Sequence, residues 1–554
     1  MEDRLPQNYI PVHYDLYMHI VENQYPFDAI VTITFQKQQT NTKLYLNIDP
    51  SIQIKRIMQN NIDLKYKIDY PKLIIKRSKN IKMDFDSYPI TIEYQVTPNQ
   101  GYNQGFFICN GNYFTDFEPR GARKLLPCFD EPCIRSSFSV RLLIPSHLTA
   151  ISNMSVKSIQ SIENEKEVSF YQTPRMCSYL LCICIGHFSS IIGSTKSGTI
   201  VEFFASTGRE KLLYKYLDIA IFTLNWLENK FGVKYELPRL QLLSTYGFPG
   251  GMENYGLITL NDFTYSQRHL FHTTLVMHEI THQWFGDLVS IKYWDSLWLN
   301  EGFAEFIQFL ILNDYNKELD AFHLFAKNES VSCLQYYNEG LIVPEESKVN
   351  FVTLFHNLVY AKGAFVVKMF YDLVGEKSFY EICSNYLNEF KNRSVEVNDF
   401  ISIANSTMKK DFNSFFNPWL RNVGFPVLIV NEIEENCKKV GITISQKCHN
   451  NCTFLLSVPI MYEKDEKIYK KKVEINDKCV KIELNFNWVI VNDDLSSLCF
   501  VIYSKSLLKS LQKANNENKI SKLNKVLIKQ SVKIDDFSHF LDDEIINMAS
   551  TFKN

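Results

Sequence analysis

The 554-residue chain has no charge imbalance and no long apolar run. Its 59 basic residues are balanced by 61 acidic ones, which leaves a formal net charge of −2. So small a charge supplies no bulk attraction to nucleic acid or to an anionic membrane surface, and we expect neither as a partner. No stretch approaches the ~20 apolar residues of a membrane-spanning helix, so we also expect no transmembrane segment.

Residues 1–6 lack the apolar core of a secretory signal peptide, which leads us to expect a cytoplasmic protein. The 13 cysteines are odd in number and mostly lie within apolar runs, so we expect reduced thiols rather than a disulfide framework. Cys448 and Cys452 resemble half of a metal site. No second half stands at a finger-like spacing, which favours a loop with incidental thiols.

The spacing of apolar residues changes along the chain, which is too long for a single hydrophobic core. Up to about residue 190 apolar and polar residues alternate, as at Ile90 and Ile92, and this pattern predicts half-buried antiparallel strands. Helical spacing follows from about residue 207, with Gly232 as the predicted end of the first helix. Alternation returns over residues 425–502, which predicts a small β-sandwich, and the last part of the chain has a helical pattern.

The strongest local signal is His278-Glu279-Ile280-Thr281-His282, separated from Glu301 by eighteen residues. On a helix, His278 and His282 project from one face, so both imidazoles can bind one metal. Two histidines and a carboxylate form a three-ligand catalytic zinc site that leaves one position for water. Glu279 leans toward that position, which suits a general base. The motif therefore predicts one Zn²⁺ per chain and the chemistry of a zinc peptidase.

Residues 250–254 read Gly-Gly-Met-Glu-Asn. Together with the histidine motif, they resemble the G-x-M-E-N signature of zinc aminopeptidases of the aminopeptidase N and puromycin-sensitive type. Residues 115–132 are similar to this family's substrate-facing loop, and residues 359–364 are similar to the segment that carries its catalytic tyrosine. The resemblance extends from about residue 4 to residue 505.

The resemblance implies a multidomain α+β fold. We expect an N-terminal β saddle over residues 1–190, a thermolysin-like α+β catalytic domain over 191–424, and a small β-sandwich over 425–505. Residues 506–554 would then be a short helical remnant that corresponds only to the beginning of the family's large helical domain. This departs from the four-domain pattern of the family.

The resemblance also assigns roles to side chains around the zinc. Glu253 and Glu118 would bind the free α-amine, so the substrates would be peptides with a free N-terminus. Asn254 would contact the substrate backbone, and Tyr360 would stabilise the oxyanion.

Four further residues are candidates. Gly250 and Gly251 permit close approach of the backbone to a bound peptide. Met252 resembles a residue that lines the family's first side-chain pocket, but it could equally pack in the core, and the sequence leaves both open. Gln308 is a candidate for steadying Glu301.

Two other functions are compatible with parts of this pattern. The leukotriene hydrolase branch shares the Gly-Gly-Met-Glu-Asn run and adds epoxide hydrolysis, but it lacks the β-sandwich predicted over residues 425–502. A non-catalytic peptide-binding homologue would normally have lost a ligand or the base. This chain retains His278, His282, Glu301 and Glu279.

Overall fold

The computed structural model describes residues 4–39, 43–76, 85, 88–101, 103–264, 268–322, 324–325, 329, 333, 340–341, 355, 357–435, 438–448, 452–517, 520 and 525. The chain forms two compact units. The first comprises Met1–Asn300 with Cys383–Phe400, and the second comprises Glu301–Ile382 with Ile401–Asn554.

The first unit begins with β-structure built around a nine-stranded sheet. Strand Tyr9–His19 lies within this sheet, parallel to Arg135–Pro145 and antiparallel to Phe27–Lys37. The alternation predicted for residues 90–96 is confirmed, because every second side chain of that strand is buried. The remaining strands of the sheet are Ile52–Gln59, Ile62–Asp63, Ile90–Val96, Val156–Ile162, Glu165–Phe170 and Met176–Cys177.

Two smaller sheets complete this β-rich part. One contains Thr149–Ser152, Ile183–Gly186, Asn112–Asp116 and Gly105–Cys109, and the other contains Lys43–Asn47, Lys72–Lys76 and Lys65–Asp69. Short 3-10 turns lie at Ala122–Lys124 and Ser178–Leu180.

The rest of the first unit mixes strands with helices. Its five-stranded sheet has the order Phe188–Ser194, Ile200–Ser206, Arg239–Ser244, Leu257–Leu260 and Gly251–Met252. After a 3-10 turn at Glu210–Leu213 come helices α1, Tyr214–Phe231, and α2, His269–His282. A two-stranded pair joins Val289–Ile291 to Arg393–Val395, and a 3-10 turn lies at Trp294–Ser296.

Helix α1 shows why the sequence pattern was informative. Leu217, Ala220 and Leu224 recur at helical spacing and are all buried, as the pattern predicts. Gly232 ends the helix with a φ of 65°, a left-handed conformation that glycine adopts without a Cβ clash. Its N–H donates to the carbonyl oxygen of Glu228 at 3.0 Å.

The second unit contains helices and two further sheets. The helices with described bounds that lie wholly or partly in this unit are α3, Trp298–Tyr315; α4, Asn357–Val374; α5, Glu376–Glu389; α6, Val397–Met408; α7, Asn413–Arg421; and α8, Lys505–Asn516. The boundary between the units falls inside α3, α5 and α6. One sheet has the order Cys479–Glu483, Lys438–Lys447, Val427–Glu435 and Phe500–Tyr503; the other has Lys467–Ile475, Leu456–Lys464 and Trp488–Val491.

The predicted mixed α+β class, with a β-rich N-terminal part and a helical region, is confirmed. The strands over residues 427–503 fall into a four-stranded and a three-stranded sheet, and the β-sandwich remains a prediction. The predicted C-terminal helical segment contains α8, where the Ser504 hydroxyl accepts from the N–H of Leu507 at 3.2 Å. Most of residues 518–554 lie outside the described residues.

Within the described part of the chain, no helix is both long enough and apolar enough to cross a membrane. The 12 cysteines that the structure describes are free thiols.

Candidate metal centre

The last turn of α2 carries the two histidines of the motif. Val276, Met277 and Ile280 are fully buried, and this apolar packing holds the helix within the first unit. The imidazoles of His278 and His282 project from one face, with their Nε2 atoms 3.0 Å apart. Both side chains are buried.

The tautomer of His282 is set by its second nitrogen. Its Nδ1 lies 3.0 Å from the carbonyl oxygen of Phe285, so Nδ1 carries the proton and donates to that oxygen. Nε2 then carries the lone pair that can bind a metal, in the arrangement usual for ligating histidines. The Nε2 atom of His278 lies next to the Nε2 atom of His282, so the two rings direct these nitrogens toward the same point.

Glu301, in the first turn of α3, is the third residue of the predicted metal site. That helix begins at Trp298 within the first unit, and Glu301 is the next residue after the unit boundary in the same continuous helix. The ligand atoms of His278, His282 and Glu301 all lie within 4.8 Å of one another. Two imidazoles and one carboxylate match the donor set of catalytic zinc sites, so these residues fit the metal that the sequence predicts.

Glu279 packs against the strand that bears the Gly-Gly-Met-Glu-Asn run. A Cβ placed on Gly251 would come within 2.6 Å of the Glu279 Cγ, whereas a Cβ on Gly250 would meet nothing within 4 Å. The carboxylate of Glu279 therefore occupies space that only a glycine at position 251 leaves open. Glu253, Glu279 and His282 also offer ligand atoms within 4.8 Å of one another.

Acidic side chains are concentrated next to Glu253. Glu118, Glu253 and Glu301 have carboxylate oxygens within 4.8 Å of one another. Burial, and then the negative charge of Glu253, raise the pKa of Asp116 from 3.8 to about 7. Burial accounts for most of this rise, and the Glu253 carboxylate adds a smaller electrostatic contribution.

Gln283 is a residue that the motif search missed. Its side chain is buried and makes four hydrogen bonds. The amide nitrogen donates to the Glu253 carbonyl oxygen at 3.0 Å and to Asp287 Oδ2 at 2.7 Å. The amide oxygen accepts from the Gly256 N–H and from the Tyr235 hydroxyl, both at 3.0 Å. Gln283 directly follows α2, which carries the two histidines. Its side chain therefore connects the end of that helix to the backbone of Glu253 and Gly256, on either side of Asn254.

Replacing Gln283 by Leu should lower the free energy of unfolding by roughly 3 kcal/mol, because several buried partners lose their hydrogen bonds. Gln241→Leu is the matched control, since Gln241 is also buried in the first unit and its amide donates one bond, to the Ser152 carbonyl oxygen at 2.8 Å. Chemical denaturation of both variants measures the difference. Equal losses for the two variants would show that Gln283 has no special role.

Asn254 and Asp287 are both buried close to this cluster. The Asn254 amide nitrogen donates to the Met252 carbonyl oxygen at 3.5 Å, and its Oδ1 accepts no hydrogen bond from the described residues. Burial, and then the charge of Glu253, raise the pKa of Asp287 well above its usual value. Burial and the neighbouring carboxylate therefore both disfavour the ionised form of Asp287.

The remaining predicted residues lie on two segments. The side chain of Met252 is buried, and the Gly250 carbonyl oxygen accepts from the Asn261 N–H at 2.7 Å. Tyr360 lies in the first turn of α4, in the second unit. The side-chain amide of Gln308 donates to Glu305.

Within the second unit, two glycines let α3 and α4 approach closely. A Cβ on Gly302 would come within 2.7 Å of the Gly363 carbonyl carbon. Gly302 directly follows Glu301, and Gly363 lies three residues after Tyr360. The backbones of α3 and α4 are therefore in close contact next to both Glu301 and Tyr360. A bulkier residue at Gly302 would force the two helices apart.

Two sequence profiles match the chain. The Peptidase M1 N-terminal domain matches residues 10–180, and the Peptidase family M1 domain matches residues 215–419. The chain belongs to the M1 peptidase family. This is a family of zinc-dependent metallopeptidases, and the resemblance inferred from residues 250–254 and from the histidine motif is confirmed.

Curated relatives agree with this assignment. The chain is 26% identical to glutamyl aminopeptidase of Rattus norvegicus over 460 residues, which are 77% of this chain and 48% of the rat protein. It is 29% identical to probable aminopeptidase 1 of Sulfurisphaera tokodaii over 84% of this chain and 61% of the relative. It is 36% identical to tricorn protease-interacting factor F2 of Thermoplasma volcanium over 57% of this chain and 42% of the relative. The chain thus spans only about half the length of these relatives.

Proposed function

We propose that this chain is a zinc-dependent aminopeptidase that hydrolyses the N-terminal peptide bond of peptides. The observation that carries the proposal is the donor set of His278, His282 and Glu301, whose ligand atoms lie within 4.8 Å of one another. Glu253 and Glu279 cluster around the same His282 side chain. Family membership and relatives named as aminopeptidases support this function.

His278, His282 and Glu301 would hold one Zn²⁺ per chain. Bound zinc supplies a Lewis acid that polarises the scissile carbonyl and lowers the pKa of water. Glu279 then takes the proton from the attacking water and delivers it to the leaving nitrogen. The packing of Glu279 against Gly251 holds that carboxylate in one place, which proton transfer requires.

Glu253 and Glu118 would bind the substrate's α-ammonium group. A buried ammonium group needs carboxylate partners, since an unpaired buried charge is costly. The carboxylates of Glu253 and Glu118 lie within 4.8 Å of each other. The negative charge of Glu253 contributes to the raised pKa of Asp116, after burial, and a substrate cation would offset that charge. Anchoring the amine at a set distance from the metal would restrict cleavage to the first peptide bond.

The roles of Tyr360, Asn254 and Met252 rest on the family resemblance, and those of Gly250 and Gly251 rest on their lack of a side chain. Tyr360 would donate its hydroxyl to the developing oxyanion, and Asn254 would bind the substrate backbone through its buried Oδ1. Gly250 and Gly251 would let the peptide approach the main chain, and Met252 would line the first side-chain pocket.

Glu253→Gln should raise KM for peptides with a free amine about 100-fold, because a buried charge pair loses one charge. The effect on kcat should be much smaller, since the general base is unchanged. Steady-state kinetics on a free dipeptide amide and on its N-acetylated form measure both. The parent protein should leave the acetylated form intact, and equal cleavage of the two forms would indicate an endopeptidase.

Aminoacyl-coumarin substrates test the proposed activity as a whole. The purified protein should release coumarin, lose activity after dialysis against a chelator, and recover it when one equivalent of zinc is added. A protein that binds zinc but releases no coumarin from any of the aminoacyl groups would be a non-catalytic homologue.

A further inference from the structure

Two thiols in the second unit lie unusually close together. The Sγ atoms of Cys448 and Cys452 are 3.0 Å apart, and the Cys448 thiol donates to the Cys452 carbonyl oxygen at 3.1 Å. Both side chains are partly exposed. A disulfide bond is ~2.05 Å long, so the two sulfurs need to approach by only about 1 Å.

The chain on both sides of this pair is held in place. Gln446 is buried, and its amide nitrogen donates to the Phe454 carbonyl oxygen at 3.2 Å while its amide oxygen accepts from the Phe454 N–H at 2.9 Å. The same amide nitrogen donates to the Asp477 carbonyl oxygen at 2.8 Å. The ring of Phe454 packs against Trp419, with centroids 4.5 Å apart. The two thiols are therefore brought together by the fold on either side of them.

We propose that Cys448 and Cys452 are a modification site. A low-molecular-weight disulfide oxidises the two thiols, which then form a reversible intramolecular disulfide bond with each other. The sequence alone favoured incidental thiols here, because four residues of separation say nothing about the distance between two sulfurs. The hydrogen bonds between Gln446 and Phe454, and the 3.0 Å distance between the two Sγ atoms, supply that information.

The thiol–disulfide exchange takes place in two steps. The Cys448 thiolate attacks one sulfur of the reagent, its disulfide breaks, and one reagent thiolate leaves. The Cys452 sulfur then attacks Cys448 Sγ, the protein disulfide forms, and the second reagent thiolate leaves. Two electrons pass to the reagent, and two protons end on the released thiols. Burial, and then the contact with Cys448, raise the pKa of Cys452 to about 12.

A second thiol pair in the chain provides an internal control. The Sγ atoms of Cys182 and Cys184 are 3.7 Å apart, but both side chains are fully buried. A reagent in solution cannot reach them, so they should stay reduced in the folded protein. Cys479 is exposed and reports whether the reagent has reacted at all.

The test treats the reduced, folded full chain with oxidised glutathione, then unfolds and alkylates it for peptide mass spectrometry. The peptide holding Cys448 and Cys452 should lose the mass of two hydrogens, resist alkylation, and regain both thiols after dithiothreitol. Cys448→Ser should abolish the bridge, and the peptide with Cys182 and Cys184 should be alkylated twice. If Cys479 carries glutathione while Cys448 and Cys452 are both alkylated, or if Cys448 retains a glutathione adduct, the proposal is wrong. The readout does not depend on peptidase activity.

Discussion

Glu279→Gln should lower kcat by about 10³-fold, because general-base catalysis is typically worth 10² to 10⁴ in rate. Glutamine keeps the shape of the side chain but cannot take a proton. Glu279 is not one of the three residues assigned to the metal, so the zinc content should stay at one per chain. Steady-state kinetics and metal analysis of the same purified sample measure the two quantities together.

His282→Ala is the partner variant for this experiment. It removes an imidazole whose Nε2 lies 3.0 Å from that of His278, so zinc and activity should be lost together. A Glu279→Gln protein that has lost its zinc, or that turns over at the parent rate, would contradict the assignment of Glu279 as the base.

Gly251→Ala should lower kcat by about 100-fold, since a displacement of about 1 Å near the reacting atoms can have an effect of this size. The new Cβ would lie within 2.6 Å of the Glu279 Cγ, and the flexible side chain is the part that can move. The carboxylate would leave the position in which it meets the water. Zinc binding should be unaffected, because Gly251 is not a ligand.

Gly250→Ala is the matched control for this prediction. A Cβ at Gly250 meets no atom within 4 Å, so this variant should keep kcat within a few-fold of the parent. The comparison separates a steric effect on Glu279 from a general effect of stiffening the loop. Equal kcat values for Gly250→Ala and Gly251→Ala would show that the contact with Glu279 is unimportant.

The features that were predictable from the sequence are periodic or local. Alternation at residues 90–96 indicated a strand, and helical spacing with Gly232 indicated where α1 ends. The four-residue spacing of His278 and His282 placed two imidazoles on one face, because that spacing is a property of any helix.

The features that were not predictable depend on contacts between distant segments. The four hydrogen bonds of Gln283 reach residues from Tyr235 to Asp287, and no spacing rule connects them. Gly251 leaves room for the side chain of Glu279, and this also follows only from the packing of α2 on strand Gly251–Met252. The closeness of Gly302 and Gly363 is of the same kind, because it depends on how α3 packs against α4.

Anomalous diffraction at the zinc K edge, from crystals of the protein grown with one equivalent of zinc, would locate the bound metal directly. We expect one strong peak per chain, bonded to the Nε2 atoms of His278 and His282 and to the carboxylate of Glu301, with Glu279 beside it but not bonded. A peak held by other side chains, or no peak at these three residues in zinc-loaded crystals, would show that they do not form the zinc site.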